Sequence, residues 1–202
     1  MSSQIVDAPR RHLSERQADT VARLVEATVA ELREVAYDAL TVRNVARRAG
    51  VAPATAYTYF SSKEHLVSEV FWRRLDALPA PTVEPDRPAH ERAAQALGAV
   101  TMLVADEPAL ASACTTAMLG TDPDVRVLRD RIGASLHHRF ATALEGVADD
   151  ADIRVIDLVL SGAMVQAGMG HLRYEDMDAR LEELTRRLFP QGSRASEEMS
   201  VR

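Results

Sequence analysis

The 202 residues are 47% hydrophobic and 27% charged, with 24 basic against 30 acidic side chains and a net charge of −6, which is enough apolar content for one or two small domains with proper cores. The single cysteine, Cys114, excludes an intramolecular disulfide framework and a multi-cysteine zinc site, and fits a reducing compartment. The N-terminal stretch MSSQIVDAPRRHLSERQ lacks the apolar segment of a secretory signal and no run of about 18 apolar residues offers a membrane span, so a cytoplasmic protein without a membrane partner is expected.

Strand-type alternation bounded by hairpin turns is absent, and the chain reads as helical throughout. SERQADTVARLVEATVAELREVA sets Val21, Leu24, Val25, Thr28, Val29 and Leu32 at three- and four-residue spacing behind a Ser14 to Gln17 capping box. TVRNVARRAG supplies a second helix, with Thr41 as N-cap, Val42, Val45, Ala46 and Ala49 inward, and Gly50 providing the positive φ that ends it. Pro53 suits a first helical position, so PATAYTYF reads as a third short helix. Two short helices meeting at a glycine turn form a helix-turn-helix, whose later helix packs one face inward and projects its N-terminal end as a reader of the major groove must. SSKEHLVSEVFWRRLDAL follows as a fourth helix, with a capping box from Ser61 to Glu64 and Leu66, Val70 and Phe71 inward.

Charge is divided unevenly along the chain. Residues 1–78 hold 11 basic and 10 acidic side chains, whereas residues 79–202 hold 13 and 20. From Thr41 to Lys63 the chain carries Arg43, Arg47, Arg48 and Lys63 and no acid, which points to a polyanionic partner at this end. The competing reading of the three arginines is ordinary solvation of a helix face. Lys63, the one lysine, falls in the first turn of the fourth helix, where backbone N–H groups and the helix dipole already favour a phosphate.

The run from Gly50 to Leu66, GVAPATAYTYFSSKEHL, closely resembles the DNA-binding signature of the TetR family of transcriptional regulators, and the likeness to the family head covers residues 20–75. The resemblance implies an all-α homodimer with about nine helices. Three N-terminal helices form the DNA head, a fourth links it to a divergent ligand-binding and dimerisation domain, and the last two helices of each subunit form a four-helix contact. It further implies phosphate contacts at Thr41, Tyr57, Tyr59 and Lys63, a core role for Phe60, and positions nearest the bases at Arg43, Ala52, Pro53, Ala54 and Thr55. Three residues depart from the pattern. Ala52 replaces the usual Ser or Thr N-cap, at a cost of about 1 kcal/mol that Pro53 partly offsets. Ala36 replaces a glycine, so the turn after the first helix is either strained or built differently. Ala56 replaces a large apolar residue and leaves a smaller contact inside the head.

No Arg, Lys, Asn, Gln, Asp or Glu lies between Val51 and Ser62, so the usual bidentate partners of guanine and adenine are missing from the reading helix. The methyl groups of Ala54 and Thr55 point instead to thymine methyls and groove shape, with guanine contacts left to Arg43 or to an arm carrying Arg10 and Arg11.

LPAPTVEPDRPAHER packs four of the nine prolines into ten residues and marks a junction no helix could contain. Helices are expected next from Ala89 to near Asp106, from Pro108 to Gly120 and from Pro123 to about Glu145, the last with Val125, Leu128, Ile132, Leu136 and Phe140 on one stripe. In DIRVIDLVLSGAMVQAGMGHL apolar residues surround most of the helix, implying burial on two sides, and Gly162, Ala163, Ala167 and Gly168 permit close approach. MDARLEELTRRLFP sets Met177, Leu181, Leu184 and Leu188 on one stripe. Together these assign Gly162, Ala163, Ala167, Leu181 and Leu184 to a homodimer contact, with a monomer padded by its own last helices as the alternative. The organisation is thus a helix-turn-helix domain over 10–60, a connecting helix over 61–78, a ligand-binding and dimerisation domain over 79–190 and a disordered tail over 191–202.

No catalytic constellation, metal site or cofactor is expected. His137 and His138 are adjacent and fall on different helix faces, Cys114, Asp157 and His171 are scattered, and no nucleophile elbow, zinc-helix, P-loop or dinucleotide fingerprint occurs. Met102, Cys114, Met118, Phe140 and Met164 are candidates to line an apolar cavity where the resemblance places effectors, although a methionine stripe at helical spacing equally makes plain core. The reading is a homodimeric repressor released from a pseudo-palindromic double-stranded DNA operator by a small apolar effector. The alternatives are a small-molecule binding or catalytic protein with a vestigial head, and a DNA-binding regulator that needs no ligand.

Overall fold

A computed structural model describes residues 15–190. The Ser14 end of the expected capping box, the arm with Arg10 and Arg11, and the expected tail over 191–202 lie outside the described residues. The described chain is all-α: α1 (Glu15–Leu32), a 3₁₀ turn (Tyr37–Ala39), α2 (Val42–Arg48), α3 (Pro53–Tyr59), α4 (Lys63–Ala77), α5 (Ala89–Ala105), α6 (Pro108–Met118), α7 (Pro123–Ala143), α8 (Asp150–Gly168), a second 3₁₀ turn (Tyr174–Asp176) and α9 (Met177–Leu188).

In the head, α1 buries Val21, Leu24, Thr28 and Leu32, the stripe its spacing predicts. Thr28 is accommodated because its hydroxyl donates to the Leu24 carbonyl at 2.8 Å. Thr41 caps α2 in a reciprocal box with Asn44, and Val42, Val45 and Ala46 are buried in the core, with α2 packed on α1 and α3. Ala36 has φ −64° and ψ 153°, so the glycine-less turn is built from ordinary extended backbone and stores no strain.

One cap differs from the sequence expectation. The N-cap of α4 is Ser62, whose oxygen accepts from the His65 N–H at 3.0 Å, not Ser61. Phe60 ends α3 in extended geometry and the chain stays extended through Ser62, so the first free helical N–H groups fall one residue later. Ser61 donates to Asp124 at 2.6 Å, and Glu64 accepts from the Tyr37 hydroxyl at 3.2 Å. Both partners are remote in sequence, beyond the reach of a local capping rule.

In the body, α4 packs on α6 and α7, α7 on α8, and α5 most extensively on α9. The proline segment runs as irregular chain into Pro88, which precedes α5. α8 begins two residues before the expected Asp152, because Asp149 forms a capping box with that residue. Head and body are joined by a charged knot: Glu107, at the α5–α6 corner, accepts from Arg74 of α4 at 2.6 Å and from Arg33 beyond α1 at 3.3 Å. Arg74 also donates to the Leu103 carbonyl at 2.6 Å. A little further along α4, the Arg131 guanidinium of α7 lies 4.1 Å from the Trp72 ring.

Candidate nucleic-acid interface and effector cavity

The turn between α2 and α3 is held open to solvent by its own chemistry. Gly50 has φ +64°, a left-handed value that non-glycine residues rarely adopt. Arg23 of α1 donates to the Ala49 carbonyl at 2.6 Å and to the Gly50 carbonyl at 3.0 Å, so a cation satisfies the end of α2 where the helix dipole is negative. α3 then buries a single residue, Ala56, at 0% exposure. The small side chain lets α3 lie close on the core while Ala52, Pro53, Ala54, Thr55, Tyr57 and Thr58 stay exposed.

The surface of α3 carries only neutral side chains. Thr58 turns back to the Ala54 carbonyl at 3.1 Å, and Tyr57 is 53% exposed, while Tyr59 is partly buried against the core. Arg43 and Arg47 are exposed on α2. Arg48 is different: it pairs with Glu31 and Glu34, each at 2.5 Å, and so ties α2 to α1. The Arg48 hydrogen bond holds the Glu34 carboxyl below its usual range.

Lys63 also has a structural partner. Its ammonium donates to the Tyr37 carbonyl at 3.0 Å and sits 4.3 Å from the Tyr37 ring centre. Burial, aided by Glu64, pushes the Tyr37 hydroxyl well above the ordinary tyrosine range. The side chain is therefore turned towards the 3₁₀ turn, with its backbone in the first turn of α4.

In the body, a cavity of about 250 Å³ lies among α4, α5, α6, α7 and α8, near the lower end of the volumes of small-molecule sites. Of the five sequence candidates, Cys114, Met118 and Met164 line it. Phe140 is 1% exposed and belongs to the solid core, and Met102 is 55% exposed on the outside of α5. Phe71, Val100, Ile132, Leu136 and Leu160 supply further apolar wall. The sequence places most of these on inward stripes, but periodicity cannot tell which inward residue faces a void. Burial pushes the Cys114 thiol up to about 12, so it is a neutral wall group at physiological pH.

Among the described residues no group of three or more His, Cys, Asp or Glu could hold a metal ion. His137, singled out with His138, bridges to Asp157 at 2.7 Å and Asp150 at 3.1 Å and clamps α7 to α8.

The residues assigned to a dimer contact divide. Ala167 and Leu181 are buried in the chain's own core, at 6% and 1% exposure, while Gly162 faces open space. Ala163 is partly buried and Leu184 is 39% exposed. Gly168 makes its close approach inside the subunit, since a Cβ there would lie 2.8 Å from Thr115 of α6. Val155, Leu158 and Leu188 join Leu184 as exposed large apolar residues on the last two helices.

An exposed helix-turn-helix on a three-helix head, continued by a linking helix into a helical body with a cavity, defines a two-part all-α regulator of the helix-turn-helix class. The chain belongs to the tetR family of bacterial regulatory proteins, whose family model matches residues 24–70. It is 45% identical over 168 residues, 82% of this chain and 78% of its relative, to an uncharacterized HTH-type transcriptional regulator of Mycobacterium tuberculosis. It is 29% identical over 189 residues, 91% of this chain and 89% of the relative, to the HTH-type transcriptional repressor KstR of Rhodococcus jostii. Among solved structures, a TetR transcriptional regulator from Rhodococcus sp. RHA1 superposes with a TM-score of 0.68 at 22% identity, covering 87% of this chain and 97% of that one. No single described helix is long and apolar enough to cross a membrane.

Proposed function

We propose that this chain is a homodimeric repressor that binds a pseudo-palindromic DNA operator through α2 and α3 and is released when a small, largely apolar molecule enters the cavity between α4 and α8. The observation that carries the DNA-binding part is α3 itself: a helix held by one buried alanine, carrying no charge, beside the two exposed arginines of α2, Arg43 and Arg47. Such a surface presents methyl groups to the groove floor and cations to its rim, as thymine-methyl readout flanked by phosphate contacts requires. Arg43 and residues 52–55 lie nearest the bases in this reading, with Thr41, Tyr57, Tyr59 and the first turn of α4 at Lys63 along the backbone.

The family supports the reading, as does the relative whose name is a repressor. The domains follow it: a head to about residue 60, the linking helix α4, and a body from the proline segment onward. The exposed apolar residues of α8 and α9 are the face on which a second subunit would close a four-helix contact. No catalytic function is included, because the cavity wall presents a neutral thiol and no acid–base pair.

The test is footprinting of the purified full chain on DNA upstream of its own coding sequence and on a genomic fragment library, with a base-substitution scan of any protected site. A competitor-resistant, two-fold-related footprint supports the reading. Binding that all sequences compete away equally would sink it.

A further inference from the structure

A second cavity, of about 270 Å³, lies beside the first, between the proline segment, α5 and α7. Val100 lines both. α7 lines both cavities: Arg129, Ile132, Gly133 and Leu136 face the first, and Arg139 and Ala143 the second, a span of about 21 Å at about 1.5 Å rise per residue. The two cavities differ in character. The first is walled almost entirely by apolar side chains, whereas the second contains two guanidinium groups, Arg92 and Arg139.

Arg92 is 3% exposed. It donates to the Ala143 carbonyl at 2.7 Å and to the Glu145 carbonyl at 3.0 Å, at the end of α7. Arg139 donates to the carbonyls of Leu75, Leu78 and Pro79 at the end of α4, at 3.0 Å to Leu75 and 2.7 Å to Pro79. Among the described residues neither has a carboxylate within the 4.0 Å of an ion pair, and burial lowers the affinity of Arg139 for its proton against the weaker opposing charge of Asp76. Buried cations are ordinarily paired with anions. Here a buried guanidinium, Arg92, and a half-buried one, Arg139, share one cavity, and each retains N–H groups beyond those the carbonyls take, since a guanidinium has five.

We propose that the second cavity is the head-group subsite of an elongated amphipathic anion, whose apolar body lies along α7 in the first cavity and whose anionic head meets Arg92 and Arg139. This deepens the effector assignment and rests on it only for the consequence at DNA. Because Arg139 also holds the C-terminal carbonyls of α4, the helix that leads to the head, an anion that shifts its guanidinium into the cavity shifts the group that fixes the α4 end.

The experiment is calorimetric titration of the purified full chain with decanoate, with decyl phosphate and with 1-decanol, each below its aggregation concentration, without DNA. Ala99→Glu places a negative charge on the wall of the second cavity at an exposed helical position, which leaves the core intact. Arg129→Gln removes the cation at the far end of the first cavity. The expected result is at least tenfold tighter binding of the two anions than of the alcohol, with the preference lost in Ala99→Glu and kept in Arg129→Gln. Equal affinity for all three, no binding of any, or a preference that survives Ala99→Glu or vanishes in Arg129→Gln would overturn the proposal. Anion binding with no operator footprint would leave this subsite standing and remove the regulator reading, and the reverse outcome would do the opposite.

Discussion

Gly50 and Arg23 show how much of the reading surface depends on two residues that do not touch DNA in any reading of the site. The glycine was legible in the sequence, because a short helix ending in Ala-Gly before Val-Ala-Pro needs a left-handed residue. Arg23 was not, since its partners, the carbonyls of Ala49 and Gly50, lie across the fold and no local pattern marks it. A Cβ at Gly50 would sit 3.4 Å from the Arg23 guanidinium on a backbone of φ +64°. Gly50→Ala is therefore expected to lower stability by about 1 kcal/mol or more, measured by urea denaturation; an unchanged midpoint would contradict the account of the turn. At Cys114 the expectation is chemical. With its thiol pushed up to about 12 by burial, it should react with a disulfide reagent at pH 8 only at the rate of opening of the body. Reaction as fast as a free thiol would show that the cavity is open to solvent.

Helices were legible because each carries its own period and punctuation: Thr41 before α2, Pro53 in α3, Pro108 in α6, Pro123 in α7. What joins them was less so. The spacing of Ser61 and Glu64 favours Ser61 as the cap, and only the extended backbone through Ser62 and its bond from the His65 N–H move the cap one residue on. His137 offers a similar lesson, for in sequence it is one of two adjacent histidines, while in the fold it holds α7 to α8 through Asp157 and Asp150. The Asp157 hydrogen bond, reinforced by Asp150, raises its pKa above the ordinary 6.5. A raised folded-state value stabilises fully below the unfolded pKa and is lost as pH rises through the folded one. Wild-type melting temperature is therefore expected to fall across the window that begins at 6.5 and extends above it. His137→Gln should flatten that fall. Parallel profiles for the two proteins would assign the clamp no role.

At the scale of the whole molecule, the all-α division into head and body was readable from the glycine turn and the proline segment, while the arrangement of the last two helices was only half readable. Stripes on α8 and α9 showed that both bury apolar faces, but not against what. The fold gives Ala167 and Leu181 to the subunit's own core and leaves Leu158 at 73% and Leu184 at 39% exposure. If those two mark the subunit contact, Leu158→Arg should convert a dimer to monomers in sedimentation and weaken operator binding by at least tenfold, without loss of helicity. A variant that remains dimeric would place the contact elsewhere. The cavity lining was legible in part: Cys114, Met118 and Met164 line it, while Phe140 and Met102 do not, because a void is a property of several helices at once.

The most direct measurement of the central claim is the salt dependence of binding to the footprinted DNA by the wild-type chain and by Arg43→Ala. Arg43 is exposed on α2 beside the reading helix. The account predicts that the logarithm of the wild-type binding constant falls steeply and linearly with the logarithm of salt, that Arg43→Ala lowers the slope by about 1, and that the variant relaxes base preference at one position of each half-site. A wild-type binding constant indifferent to salt, or an Arg43→Ala variant with unchanged slope and selectivity, would contradict it.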